Sequence, residues 1–430
     1  MQELGGTAIS GNRDDFSAHV WRMTAPELTP SQKAIVRNAD WFMSHERTDG
    51  FIDLPGDEFY GVRGDATLNG HSVTARMMAW VLTGEASYRQ SAEKTLDWLA
   101  ERQDAAGGWG RHAAFTLDAA QCVFEGFNTY QTLTGDRRHE QVLIRAARRM
   151  ITGTLAPDGT LRLPGLIEVG EYAFFSLLAW KTTGDDYFHA AAEKIVAHLT
   201  ANFVAKEGFW PPYDPAHIRT GVAARLVRPP LRWAARTLPM RGRWMAKFSE
   251  HLAGYAVNGS RPQYAMSLMD AEALLPTHDG SCAFPELREQ TKAAIAWAES
   301  HCAGPFPGSL VESRPVASNE AVFPLQIIND SEMAALWPSC CLLLAYCGLK
   351  DPVYRDRAAK TVDWILSMQD ATGGFSNFQR PDGRRLPLQS GNANFYACLA
   401  LWVFEEVFGT GPRLYTTMPA SPSPYRELKP

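Results

Sequence analysis

Half-apolar and nearly all-apolar stretches alternate along this chain, both with helical periodicity. Stretches of the first kind stop at a glycine followed by an aromatic residue. Lys94-Thr95-Leu96-Asp97-Trp98-Leu99 runs on to Gln103-Asp104 and ends in Gly107-Gly108-Trp109. Lys360-Thr361-Val362-Asp363-Trp364-Ile365 runs on to Gln369-Asp370 and ends in Gly373-Gly374-Phe375, with Lys, Trp, Gln and the paired Gly at one constant offset. Four weaker copies are legible: Asp40-Trp41-Phe42 to Asp49-Gly50-Phe51, Arg149-Met150-Ile151 to Asp158-Gly159, Glu193-Lys194 to Gly208-Phe209, and Lys292 with Trp297 to Gly304-Pro305-Phe306. A repeat of this length is one supersecondary unit copied six times.

The more apolar stretches lie between the copies, at about 71–83, 118–134, 168–183, 262–275, 331–347 and 392–408. Several end alike, in Thr83-Gly84, Thr134-Gly135, Thr183-Gly184 and Cys347-Gly348, where the glycine is expected to take a left-handed C-terminal cap. The unit is therefore helix, glycine-rich loop, apolar helix, tight turn. A helix apolar nearly all round must be covered on most sides, which places these helices in an inner ring behind the amphipathic ones. Trp41 and Trp364 carry the same signal in the first and last units. The expected architecture is an all-α (α/α)6 toroid of six hairpins over 31–409, not an open solenoid, whose ends would need capping. A leader at 1–30 and a Pro-rich tail at 410–430 flank it.

Composition changes this picture little. At 430 residues and 45% hydrophobic the chain can bury the core of a closed repeat fold, and a net charge of −5 argues against a general nucleic-acid binder. No apolar run reaches the length of a membrane span, and the N-terminus lacks the regions of a secretory signal. Five of the seven cysteines (Cys122, Cys340, Cys341, Cys347, Cys398) fall in apolar helices and read as reduced core residues, so a cytoplasmic location is expected. One segment breaks the repeat. From Arg219 to Lys247 there are eight basic residues and no acidic one, interleaved with Leu226, Leu231, Trp233 and Trp244. Within an insert at about 215–250, residues 219–248 admit three readings: a peripheral contact with anionic lipid at the inner membrane surface, a lid over an anionic substrate, or a basic helix packed on the acidic remainder. The oligomeric state is left open.

All inner helices of a closed ring run the same way, so their N-termini and the glycine loops share one mouth, where unpaired N–H groups favour anionic ligands. The residues near those helix starts are polar. For hydrolysis the pool of carboxylates is Asp118, Glu168, Glu171 and Asp330. For β-elimination or epimerisation of a uronic acid, His71, Tyr172 or Tyr264 could remove the C5 proton, with Arg63, Arg111, Asn69 and Asn394 neutralising the sugar carboxylate. Gln121, Asn329, Asn392 and His112 supply further hydroxyl partners, and Trp109 and Trp210 flat faces for pyranose rings. Each has a plainer role available: Asp118 and Asn392 as helix caps, Glu168 as a complement to the helix dipole, His71 as a hydrogen-bonded core residue, Tyr172 as packing.

The Trp-Leu…Gln…Gly-Gly-Trp units at 94–109 and 360–375 resemble the QW-type repeats of squalene–hopene cyclases and related terpenoid cyclase and prenyltransferase toroids. The hairpin pattern over about 31–408 also resembles the six-hairpin glycosidase superfamily, with its unsaturated glucuronyl hydrolases, sugar epimerases and polysaccharide lyase toroids. These resemblances imply a fold and leave the reaction open. The Asp-x-Asp-Asp and Asp-Asp-x-x-Asp signatures of terpene chemistry are absent, and Cys340-Cys341 lacks the Asp-x-Cys and His of a zinc-binding prenyltransferase. The expectation is a carbohydrate-active enzyme that hydrolyses, eliminates or epimerises a uronic-acid-containing saccharide, without cofactor or metal. A terpenoid cyclase and a non-catalytic glycan- or protein-binding toroid are the alternatives.

Overall fold

A computed structural model describes residues 27–54, 66–110, 116–162, 166–206, 208–210, 284–311, 333–387, 389–409 and 411. Among these, eleven α-helices alternate between two layers. Outer helices are α1 (Pro30–Met43), α3 (Ala86–Arg102), α5 (Glu140–Thr154), α7 (Asp186–Ala201), α8 (Pro285–His301) and α10 (Arg355–Ser367). Inner helices are α2 (Ala66–Thr83), α4 (Thr116–Thr134), α6 (Leu166–Thr183), α9 (Leu336–Leu349) and α11 (Gly391–Val407). The fourth apolar stretch, 262–275, lies outside the described residues, as do the basic insert and all of the leader and tail except residues 27–30 and 411.

The layering follows the hydrophobic pattern. Outer α3 buries Tyr88, Ala92, Leu96 and Leu99 on one face and leaves Gln90, Lys94 and Asp97 in solvent. Inner α9 buries every residue except Trp337. Such a helix has to be covered on all sides, because any exposed side would leave leucine in water.

Glycines build the seams between hairpins. Each loop after an outer helix holds a glycine at positive φ whose missing side chain lets the loop press on the next outer helix. A Cβ at Gly50 would lie 2.5 Å from the Lys94 carbonyl carbon, at Gly107 2.3 Å from Arg145 O, and at Gly308 2.5 Å from the Thr361 nitrogen. At Gly159 and Gly208 the neighbours are Lys194 and Ala293. The sixth, Gly373, would meet Arg37 O at 2.2 Å, on the first outer helix. Hairpins thus touch in the order one to six and back to one. That order closes the ring, and the chain is an (α/α)6 toroid.

The repeated glutamine does the same work with hydrogen bonds. Gln103 Nε2 donates to Val142 O of α5 (2.9 Å), and Gln369 Nε2 donates to Ala34 O of α1 (2.8 Å). Thr-Gly turns tie the other end. Thr83, Thr134 and Thr183 each donate to the carbonyl four residues back and accept the N–H two residues on. Gly84, Gly135 and Gly184 take φ of 77°, 69° and 68°.

Three expectations need correction. In the fifth copy the turn glycine is Gly308 (φ 79°), while Gly304 packs against Ser309. At the end of α9 the left-handed residue is Lys350 (φ 51°), because the helix runs on through Gly348 to Leu349. The same helix begins at Leu336, not near 331, because Ala334–Ala335 is a strand between Leu310–Val311 and Phe378–Gln379 in a small antiparallel sheet. Backbone groups engaged in that pairing cannot start a helix.

Candidate functional site at the mouth of the inner ring

Inner helices enter from the glycine loops, so their first turns share one end of the ring. On α2, α9 and α11 nearly every residue of these turns is buried, and the second residue of each helix is not: Thr67, Trp337 and Asn392 are half-buried. One turn further, Thr67 is followed by His71 and Asn392 by Tyr396, each on the same helix face as its partner four residues earlier. The rings interlock across three neighbouring helices. Trp337 and Tyr396 have centroids 5.8 Å apart, Tyr396 and His71 6.2 Å, and His71 lies flat on Phe395 at 3.9 Å and 9°.

This face also collects polar atoms without partners. His71 is 1% exposed, and neither Nδ1 nor Nε2 has a hydrogen bond to another described residue. Thr67 Oγ1 and Trp337 Nε1 are likewise buried and unpartnered. A buried polar atom left unpaired costs about 1–3 kcal/mol, so four on three neighbouring side chains mark a place where a ligand can supply the missing bonds. Burial also lowers the His71 pKa from its ordinary value to about 3, leaving the imidazole neutral. On the neighbouring inner helix, Glu125 is a fully buried carboxylate, and Gly126 packs its Cα against the Gly70 carbonyl.

Of the residues singled out from sequence, several serve the scaffold. Asn69 and Asn394 are fully buried, and each clasps the backbone of its own glycine loop. Asn69 Oδ1 accepts the Ile52 N–H (2.8 Å) and its Nδ2 donates to Ile52 O (3.4 Å); Asn394 does the same to Phe375 (2.7 and 3.2 Å). Their amides hold loops where a sugar carboxylate was expected. Trp109 and Trp210 are buried and donate their indole N–H to Leu99 O and Leu199 O, so neither offers an open face. Tyr172 and Gln121 are buried in the inner ring, and Asn392 is half-buried, with Ser390 and not Asn392 capping α11. Asp118 lies in the first turn of α4, and Glu168 and Glu171 in the first two turns of α6. Arg63, Arg111, His112, Tyr264, Asn329 and Asp330 lie outside the described residues.

Sequence reasoning placed His71 and Tyr396 near this mouth and missed Thr67, Trp337 and Phe395. The available signal was the i, i+4 pairing of Thr67 with His71 and of Asn392 with Tyr396. No group of three or more His, Cys, Asp or Glu side chains able to hold a metal occurs among the described residues. No helix among them is long and apolar enough to cross a membrane.

No family model matches the chain. No curated protein matches it either. Solved structures do. A cellobiose 2-epimerase from Bacillus thermoamylovorans B4167 superposes with a TM-score of 0.57 at 10% identity, covering 85% of this chain and 95% of that one. A D-mannose isomerase superposes with a TM-score of 0.57 at 11% identity, covering 89% and 100%. A type II terpene cyclase from Scytonema reaches 0.50 at 12% identity, covering 88% and 99%. At these identities the likeness is one of fold: the chain shares the closed double ring of helices with sugar-converting and terpene-cyclising proteins alike.

Proposed function

We propose that this chain is a carbohydrate-active enzyme whose reaction is proton transfer at a sugar carbon, with His71 as the base. The observation that carries the reading is the His71 imidazole: neutral, buried, with both nitrogens unpartnered among the described residues, on a face with a half-buried indole ring and a threonine hydroxyl. The solved structures of similar fold that act on sugars, an epimerase and an isomerase, support it.

The substrate proposed is a saccharide with a carboxyl or carbonyl group next to the carbon that loses its proton, a uronic acid being the case that fits best. Trp337 offers a flat face to the apolar side of a pyranose ring, and Trp337 Nε1, Thr67 Oγ1 and Asn392 offer hydrogen bonds to hydroxyls. His71 takes the proton, and the electron pair moves into the adjacent carbonyl or carboxyl group. Return of a proton to the opposite face gives the epimer; loss of the substituent one carbon further gives the unsaturated product of elimination. A base with a pKa of about 3 is too weak for this unaided. A carboxylate lodged beside it offsets the cost of burying the imidazolium, and the Phe395 ring face stabilises that cation, so an anionic substrate raises the basicity it needs. Hydrolysis by a carboxylate pair drawn from Asp118, Glu168 and Glu171 is the second sugar reaction compatible with the fold.

The competing reading is cyclisation of a polyprenyl-type substrate. The Phe395, Tyr396 and Trp337 rings favour it, since such faces stabilise carbocations.

Incubation with acidic and neutral saccharides in heavy water tests the three. Deuterium uptake or new absorbance from an unsaturated uronate is expected, and His71→Asn lowers either by a hundredfold or more, about the contribution of a general base, with helical content unchanged. New reducing ends without deuterium uptake point to hydrolysis, and conversion of a polyprenyl substrate alone overturns the sugar reading.

A further inference from the structure

The repeated unit ends at Phe375, but the chain makes one more excursion before α11. Phe378–Gln379 pairs with Ala334–Ala335, the backbone turns at Gly383 (φ 87°), and the Leu386 N–H returns to Phe378 O at 3.0 Å. The Arg380 N–H donates to Arg384 O (2.9 Å) and the Gly383 N–H to Arg380 O (2.9 Å), so the tip of this hairpin is rigid. Asn377 roots it at the mouth. Its carbonyl accepts the N–H of Leu336, the first residue of α9, at 2.8 Å, and its Oδ1 accepts the N–H of Ser390, the cap of α11, at 3.0 Å. The hairpin therefore stands on the entry ends of the two helices that carry Trp337 and Asn392.

Its charge is concentrated. Residues 380–385 contain three arginines and one aspartate, in a chain whose net charge is −5. Arg385 is committed to the scaffold, donating to Ser367 O (3.1 Å) and Gln369 O (2.7 Å). Asp382 is engaged too, accepting the Arg384 N–H at 2.9 Å. Arg380 and Arg384 are exposed, and no ion pair or side-chain hydrogen bond joins either guanidinium to another described residue. Two guanidiniums on a fixed turn present forks that match carboxylate oxygens. Because the backbone is already ordered, binding there costs little further chain entropy.

We infer that the Arg380/Arg384 tip is a rim subsite holding the carboxylate of an acidic glycan whose reacting sugar occupies the Thr67, His71 and Trp337 face. The inference rests on the carbohydrate reading above and adds a requirement: the substrate extends beyond its reacting unit, and the extension is charged.

The test is an Arg380→Ala/Arg384→Ala double variant of the full chain. It is titrated with oligogalacturonate, with the same oligomer after reduction of its carboxyls to alcohols, and with a single-stranded oligonucleotide. At low salt the variant binds the acidic oligomer roughly three- to tenfold more weakly than wild type, the size expected for two exposed pairs. The difference vanishes near 1 M salt, where the Debye length is about 3 Å. The reduced oligomer binds both proteins equally. Unchanged affinity for the acidic oligomer, an equal loss for the reduced one, or an equal loss for the oligonucleotide overturns the subsite. Wild-type protein that binds the acidic oligomer through these arginines without proton exchange or turnover defeats the catalytic reading and leaves the subsite standing. Normal turnover with an unaltered KM in the double variant defeats the subsite alone.

Discussion

Two seams of the ring use the same chemistry on very different pieces of chain. Between α3 and α5, Gln103 reaches Val142 across 39 residues, and Arg145 Nε returns a bond to Gln103 Oε1 at 2.9 Å. Between α10 and α1, Gln369 reaches Ala34 across 335 residues, and Arg37 Nη2 returns a bond to Asp370 O at 2.6 Å. Loop-closure entropy grows with the logarithm of length, so for an unstructured chain the second seam costs about 2 kcal/mol more to form. The closing seam has extra bonds to offset this. Asn38 Nδ2 donates to Gly373 O (3.0 Å) and Asn394 Oδ1 (2.7 Å), and Cys398 Sγ donates to Asn38 Oδ1 at 3.2 Å. The α3–α5 joint shows no such network among the described residues, but the α1–α3 joint does, where Arg76 donates to Ser91 Oγ (2.6 Å) and Thr95 Oγ1 (2.9 Å) and Thr95 Oγ1 donates to Gly50 O (2.5 Å), so buried networks reinforce the joints on both sides of the first hairpin.

The sharpest way to break this comparison is at the glycines. Gly373→Ala puts a Cβ 2.2 Å from Arg37 O at a φ of 94°, and Gly107→Ala puts one 2.3 Å from Arg145 O at 84°. Each is expected to cost about 3 kcal/mol in urea unfolding. Only Gly373→Ala should also lower the m-value, because an opened ring exposes less new surface when it unfolds; equal m-values would mean the joints are equivalent. Next in size is Asn38→Leu, which removes one of two bonds at Gly373 O and at Asn394 Oδ1 and takes the acceptor from Cys398 Sγ, and should cost about 2 kcal/mol by the same measurement. A stability equal to wild type would show that the network contributes nothing. Gln369→Leu and Gln103→Leu should each cost about 1 kcal/mol, with the Gln369 variant alone speeding proteolysis at the α10–α1 joint.

Near neutral pH the smallest effect is electrostatic. His71 of α2 stacks on Phe395 of α11 across the closing seam, whereas α2 meets α4 backbone to backbone at Gly70 and Gly126. Burial holds the folded His71 pKa near 3, below its ordinary 6.5, so the unfolded chain binds the extra proton between those values. Its contribution to stability is complete above pH 6.5 and is lost as pH falls toward 3. At pH 6 the loss is about 0.8 kcal/mol. His71→Phe should remove that part of the acid dependence; an unaltered pH profile would show that the imidazole is not held neutral.

Much of the ring was legible because its signals are local. The Thr-Gly turns, the glycine-aromatic loops and the all-apolar helices each follow from neighbouring residues, and inner helices α2, α4, α6 and α11 start within five residues of the expected positions. The start of α9 was not, since Ala334–Ala335 carries no strand signal and is recruited by partners at 310–311 and 378–379. The site was legible only in part. Asn69, Asn394, Trp109 and Trp210 have the residue types a sugar cleft uses, but what decides their role is a backbone partner some ten to twenty residues away. Trp337 was hidden by the opposite problem: beside Leu336 and Pro338 it reads as core, and only the packing of α9 shows that it is the one residue left uncovered.

The hydroxyl of Thr29, the cap of α1, donates to Glu405 Oε1 of α11 at 2.7 Å, so the two ends of the helical ring adjoin. A short peptide could join them, and new ends cut at the Thr83-Gly84 turn would leave all six joints intact. The same circle could be drawn starting from any of its hairpins, and a rejoined, recut chain should return to the same shape.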